Sequence, residues 1–128
     1  KIISINNINI KKATFNKKKL SDLLLKPTRL YHQYINDGDL KIIKSLSHIT
    51  GGGLIANFRR SIPKKTKYDL NLGKLPDEYN FIRNNIKISE KELLEVFNCG
   101  IGMVFVVDKK YYSRFKKRNL FKLIGEIV

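Results

Sequence analysis

Acidic residues are scarce in this chain: 11 Asp plus Glu stand against 26 Lys plus Arg, leaving a formal charge of +15 over 128 residues. Cysteine is nearly missing. Cys99 alone cannot close an internal disulfide, which excludes a disulfide-stapled scaffold and favours a reducing, cytoplasmic compartment. One thiol also makes no metal site. The longest apolar run, around Ile101 to Val107, falls far short of the roughly 20 residues a membrane span needs, so no transmembrane helix and no membrane partner are expected. The start, Lys1 to Ile10, has neither the apolar core nor the small-residue cleavage site of a secretion signal. With no initiator Met, the chain reads as a fragment or a processed product. There is no internal repeat and no Pro- or Ser-rich linker. No acidic cluster suits magnesium either: Asp37 and Asp39 share a turn but have no further carboxylate nearby in sequence.

What is present fits one folded domain. The length allows one real core and not two comfortable ones. Hydrophobic residues make up 42% and charged residues 29%, ordinary for a globular protein. The positive charge would attract nucleic acid, an anionic membrane surface or phosphorylated metabolites. It has a compositional source too, because Lys greatly outnumbers Arg, and Ile and Asn abound, as AT-rich codons produce. The clusters Lys11-Lys12, Lys17 to Lys19, Lys64-Lys65 and Lys116 to Arg118 are spread along the chain, as solvated loops and helix faces are.

The pattern alternates strands and helices. Residues 11 to 19 read as a loop after an N-terminal segment. Pro27 biases Lys26 away from helix, so an extended segment is expected over Thr28 to Tyr31. "YHQYINDGDLKIIK" suits a short helix with Asp37-Gly38 as its exit. A strand follows over Ile43 to Thr50. After Gly51 to Gly53, apolar residues at Leu54, Ile55, Phe58 and Ile62 make a helical face that Pro63 ends. "KYDLNL" has the period of a half-buried strand. Pro76 opens a helix over "DEYNFIRNN", and Ser89 with Glu92 forms a capping-box signature ahead of Leu93, Leu94, Val96 and Phe97. "GIGMVFVVD" reads as a buried strand, Tyr111, Tyr112 and Phe115 fall at helical spacing, and "FKLIGEIV" closes as a strand. The expected fold class is α+β, a layered α/β domain with a mixed β-sheet flanked by helices.

Two glycine motifs stand out. A strand that turns into a helix through glycines leaves N–H groups without partners beside a partially positive helix end, a rim that suits phosphate. Glycine also lets a ligand approach the backbone closely. Gly51, Gly52 and Gly53 follow neither G-x-G-x-x-G nor the Walker pattern. A tight turn for close helix-strand packing is the other role open to them. Thr50 can donate to an anionic oxygen. On the same side of the strand, His48 can donate or exchange a proton near neutral pH. In "FNCGIGM", Gly100 and Gly102 leave one strand face bare, which admits either a ligand or a closely packed backbone. Cys99 lacks an adjacent base or cation and reads as an inert small hydrophobe.

"LLLKPTRLY", "SHITGGGLIANFRRSIP" and "FNCGIGMVFVV", in this order and spacing, resemble the C-terminal half of the aminoimidazole ribonucleotide synthetases, the phosphoribosylformylglycinamidine cyclo-ligases of purine biosynthesis. The resemblance runs from the first residue to "IGEI". It implies a cytoplasmic homodimeric enzyme that uses ATP to phosphorylate the amide oxygen of formylglycinamidine ribonucleotide, after which a ring nitrogen attacks and closes the imidazole. It also implies that ATP and Mg2+ are bound mainly by an N-terminal domain absent from this chain. Residues 1–19 would then be the end of an inter-domain helix plus a linker, and residues 20–128 the C-terminal domain. On this reading His48 orients or donates to the reacting amide. Thr50, Gly51, Gly52 and Gly53 hold phosphate, and Asn98, Gly100 and Gly102 shape the opposite wall. No metal ligand and no specific nucleic-acid partner are expected, and the fragment alone should be inactive. Arg59, Leu75 and Lys26 depart from the residues usual in the family at those positions, and none touches the glycine motifs. Two alternatives stand beside this reading. One is a basic nucleic-acid-binding module, with Tyr111, Tyr112 and Phe115 among lysines as local support. The other is a domain of a related enzyme such as a selenophosphate synthetase, a thiamine-phosphate kinase or the formylglycinamidine ribonucleotide amidotransferase.

Overall fold

The computed structural model describes residues 2–128, apart from the side chains of Ile2 and Ile5. A single helical turn, α1 (Ile2–Ile5), stands where a helix end was expected, with Lys1 outside the described residues. The lysine-rich stretch read as a loop contains a minimal hairpin, β1 (Thr14–Phe15) with β2 (Lys18–Lys19). Asn16 and Lys17 turn it at φ of 49° and 64°, the left-handed pair a two-residue hairpin requires. Helix α2 (Leu20–Leu24) stops ahead of Pro27 and sends Leu20 fully into the core.

The segment expected as one helix with Asp37-Gly38 at its exit is built differently. Tyr31–Tyr34 form a 3-10 turn, and α3 (Asp37–Leu40) begins where an end was expected. The cause is reciprocal capping: Asn36 Oδ1 accepts from the Asp39 N–H at 2.9 Å, and the Asp39 carboxylate accepts from the Asn36 N–H at 3.1 Å. Asp39 is fully buried there. Arg114 Nε at 2.9 Å and Arg118 Nη1 at 2.7 Å close over its carboxylate. Arg118, read from sequence as part of a solvated basic run, is therefore tied down.

Next come β3 (Ile43–His48), α4 (Gly53–Arg60), β4 (Tyr68–Leu70), α5 (Asp77–Asn85), α6 (Glu90–Val96), β5 (Met103–Val107), α7 (Tyr112–Lys116) and β6 (Gly125–Ile127). The expected capping box opens α6, with Ser89 and Glu92 bonded reciprocally. The α+β class holds. The sheet differs from the single mixed one expected: among the described residues, three two-stranded ladders form, β1-β2, β3-β5 and β4-β6, all antiparallel. With three residues each, β4 and β6 use their length on one another and do not reach the β3-β5 pair.

Leu54 and Phe58 of α4 are buried, with Ile55 and Ile62 half-buried beside them, as the sequence periodicity requires. Leu54 and Phe58 join Leu20, Ile49, Leu72, Leu93 and Val104 in one core, with Ile62 packed against it, where each fully buried aliphatic side chain contributes about 1.5–3 kcal/mol. Val96, expected on the apolar face of α6, is exposed instead. Phe115 is buried against Phe105 and Phe121, with ring centroids 6.3 and 5.3 Å away. That aromatic spacing thus serves packing.

Candidate functional site

The end of β3 and the start of α4 are fixed from two sides. Ile49 is buried and its N–H donates to the Gly102 carbonyl at 2.9 Å; Leu54 donates to the Phe97 carbonyl at 3.0 Å. These two bonds bring both glycine motifs together, as their order along the chain did not by itself require. Between them, Gly52 and Gly53 adopt φ of +90° and +75°, values that glycine reaches without strain. The three glycines then divide. A Cβ on Gly53 would run into the backbone of Glu95, so this glycine is spent on the close approach of α4 to α6. Positions Gly51 and Gly52 have no atom within 4 Å of where a Cβ would stand, and both are exposed. No acceptor among the described residues takes the N–H of Thr50, Gly51, Gly52 or Gly53. Gly53 therefore serves packing, of helix on helix where helix on strand was expected, and Gly51 and Gly52 form an exposed turn with unaccepted N–H groups.

The residue that sequence reasoning missed is Asn57. It is buried on the apolar face of α4, and its Nδ2 reaches back to the carbonyls of Gly53, Gly51 and Thr50. The signal was available: an amide side chain between Leu54 and Phe58, one turn after a glycine run, must find partners inside.

His48 and Thr50 are both exposed. The His48 ring stands edge-on to Tyr31, with centroids 5.7 Å apart. Tyr31, also unforeseen, fills the space Gly102 leaves bare, since a Cβ there would fall on the tyrosine hydroxyl. That hydroxyl also lies 3.3 Å from Thr28 Oγ1. Gly100, at φ +81°, accommodates Pro76, whose Cγ would lie 2.6 Å from an added Cβ. Asn98 Oδ1 accepts from the Gly100 N–H at 3.1 Å and from the Tyr79 hydroxyl. The bare face of the second motif is thus filled by Tyr31 and Pro76. Asn98, Gly100 and Gly102 line a broad open concavity that also takes in Tyr31 and Tyr79, and His48 and the residues 50–53 lie outside that lining. Cys99 is buried, and burial, with Glu90 nearby, pushes its thiol up to about 11. Among the described residues no three His, Cys, Asp or Glu side chains gather to hold a metal ion. Nor is any helix long and apolar enough to cross a membrane.

Fold and turn together define an α+β domain with an open glycine rim at a strand-to-helix junction. The chain belongs to the family described as AIR synthase related protein, C-terminal domain, which it matches over residues 3–128. It is also 39% identical over 94 residues to the trifunctional purine biosynthetic protein adenosine-3 of Homo sapiens, an alignment that covers 71% of this chain and 9% of that protein. The chain thus spans a small part of the length of that relative.

Proposed function

We propose that this chain is the C-terminal domain of an ATP-dependent cyclo-ligase that converts formylglycinamidine ribonucleotide to aminoimidazole ribonucleotide in purine biosynthesis. Membership of the AIR synthase related family and the likeness to a purine biosynthetic protein support the pathway. The observation that carries the site is the exposed turn at Gly51 and Gly52, whose N–H groups no acceptor among the described residues takes. Such groups at a helix N-terminus bind a phosphate ester without any side-chain charge. Thr50 adds a hydroxyl donor at the same rim, and His48, one residue pair back along the strand, orients the reacting amide or donates to it.

Among the described residues no group of three His, Cys, Asp or Glu side chains converges that could hold Mg2+. The chain's part in the reaction is to grip and orient the substrate, while ATP is held mainly by groups outside it, in a cytoplasmic homodimer. Tested with formylglycinamidine ribonucleotide and ATP on the complete enzyme, Gly52→Asp places a side chain and a negative charge in the rim and abolishes substrate binding. Unchanged kinetics would remove the turn from the site. The 128 residues alone should close no ring, and measurable ring closure by them would overturn the division of labour.

A further inference from the structure

Asn57 lies one turn after Gly53 and is 6% exposed. A buried amide costs stability unless its polar atoms find partners. Here Nδ2 has two hydrogens for three carbonyls. The Gly53 oxygen at 2.6 Å takes one, and those of Gly51 at 3.2 Å and Thr50 at 3.5 Å divide the other. Oδ1 accepts from Arg60 Nη2 at 2.5 Å. The two ends of a carboxamide are nearly alike in shape, so packing alone does not choose between them. Arg60 does, because a guanidinium only donates: it takes Oδ1 and leaves Nδ2 for the turn.

A trans peptide is planar, with the C=O of one residue and the N–H of the next on opposite sides. Drawing the carbonyls of Thr50, Gly51 and Gly53 toward Asn57 therefore turns the N–H groups of Gly51, Gly52 and Leu54 away from it. The last of these is accounted for, since it meets the Phe97 carbonyl at 3.0 Å. The first two have no acceptor among the described residues, and open space surrounds their glycines. We infer that Asn57, held by Arg60, is a positioning residue that aims the Gly51 and Gly52 N–H groups, so that these two make the anion contacts of the turn and Gly53, buried against Glu95, does not. The anion half of this inference rests on the phosphate reading of the turn; the geometric half does not.

The test uses the full chain labelled with 15N and 13C, titrated with inorganic phosphate. Phosphate should move the Gly51 and Gly52 amide resonances and leave that of Gly53 comparatively still. Asn57→Asp keeps the shape but loses the donors, and should weaken phosphate binding about tenfold or more. Arg60→Ala should weaken it too, and Arg60→Lys, which retains a donor, should restore most of the loss. The Phe81 and Cys99 resonances, deep in the core, should stay in place throughout. Phosphate binding by Asn57→Asp as tight as that of the unsubstituted chain would overturn the inference while leaving the phosphate reading intact. If the unsubstituted chain ignores phosphate, that reading fails, and the 13C carbonyl shifts of Thr50 and Gly51 then decide the geometric half. Movement of those shifts in Asn57→Asp upholds it, and unmoved shifts overturn it. Should Asn57→Asp fail to fold by circular dichroism, Arg60→Ala, at an exposed position, carries the same readouts.

Discussion

Replacing Asp39 should be among the most damaging single changes to this fold, and its size follows from the contacts. The carboxylate accepts from Arg114 Nε at 2.9 Å, from Arg118 Nη1 and Nη2 at 2.7 and 3.0 Å, and from the Asn36 N–H at 3.1 Å. The two guanidinium groups, rather than depth in the core, seal it from solvent. Breaking a buried ion pair from one side costs about 3–5 kcal/mol. Both arginines retain substantial exposure, 42% and 31%, so they rehydrate once the carboxylate is gone, which moves the cost to the lower end. Loss of the cap partner adds about 1 kcal/mol. Asp39→Ala should therefore destabilise the chain by about 3–4 kcal/mol in urea unfolding at neutral pH. The pH dependence has a definite sign. The hydrogen bond from Arg118, then that from Asn36, hold the folded carboxyl below its ordinary value in spite of desolvation. Its stabilisation is thus fully present above the unfolded pKa, near 4, and is lost as pH falls through the lower folded value. Asp77, bonded by Lys18 and Asn16, and Glu92, bonded by Ser89, are shifted the same way, so the comparison must be made against Asp39→Asn. The stability gap between the two proteins should be flat above about pH 5 and shrink below about pH 4. A gap that stays constant through acid, or an Asp39→Ala cost under about 1 kcal/mol, would refute the argument.

Other expectations follow from the glycines and the thiol. Gly53→Ala combines a backbone collision at Glu95 with a φ of +75°, and should lower stability by about 2–4 kcal/mol in thermal unfolding. Gly51→Ala, with open space and no positive φ, should stay within about 0.5 kcal/mol. Equal costs at the two positions would contradict the division between packing and rim. Cys99, buried and with its thiol pushed up to about 11, should resist iodoacetamide at pH 7 until the chain unfolds. Rapid alkylation of the folded chain, followed by mass spectrometry, would show that the site opens.

Much of this was legible from periodicity and capping. The helical face at Leu54, Ile55 and Phe58, the box at Ser89 and Glu92, and the strand after Gly102 are local signals, and the chain obeys them. The α3 start was misread because an Asp-Gly pair usually closes a helix, and the competing Asn36-Asp39 cap is no commonplace signature. The long-range partners of Asp39, some 75 residues away, leave no local trace at all. Likewise the bare faces of Gly100 and Gly102 announced that something comes close, without saying that Pro76 and Tyr31 do. The triple glycine was ambiguous because its members differ: Gly53 is pressed against the backbone of Glu95, while Gly51 and Gly52 stand in open space.

A crystal structure of the complete enzyme with formylglycinamidine ribonucleotide bound would show directly whether the turn at Gly51 and Gly52 grips phosphate. Ester phosphate oxygens should lie about 2.7–3.2 Å from the backbone nitrogens of Gly51 and Gly52. A phosphate held elsewhere, with those two nitrogens facing only water, would contradict that role of the turn.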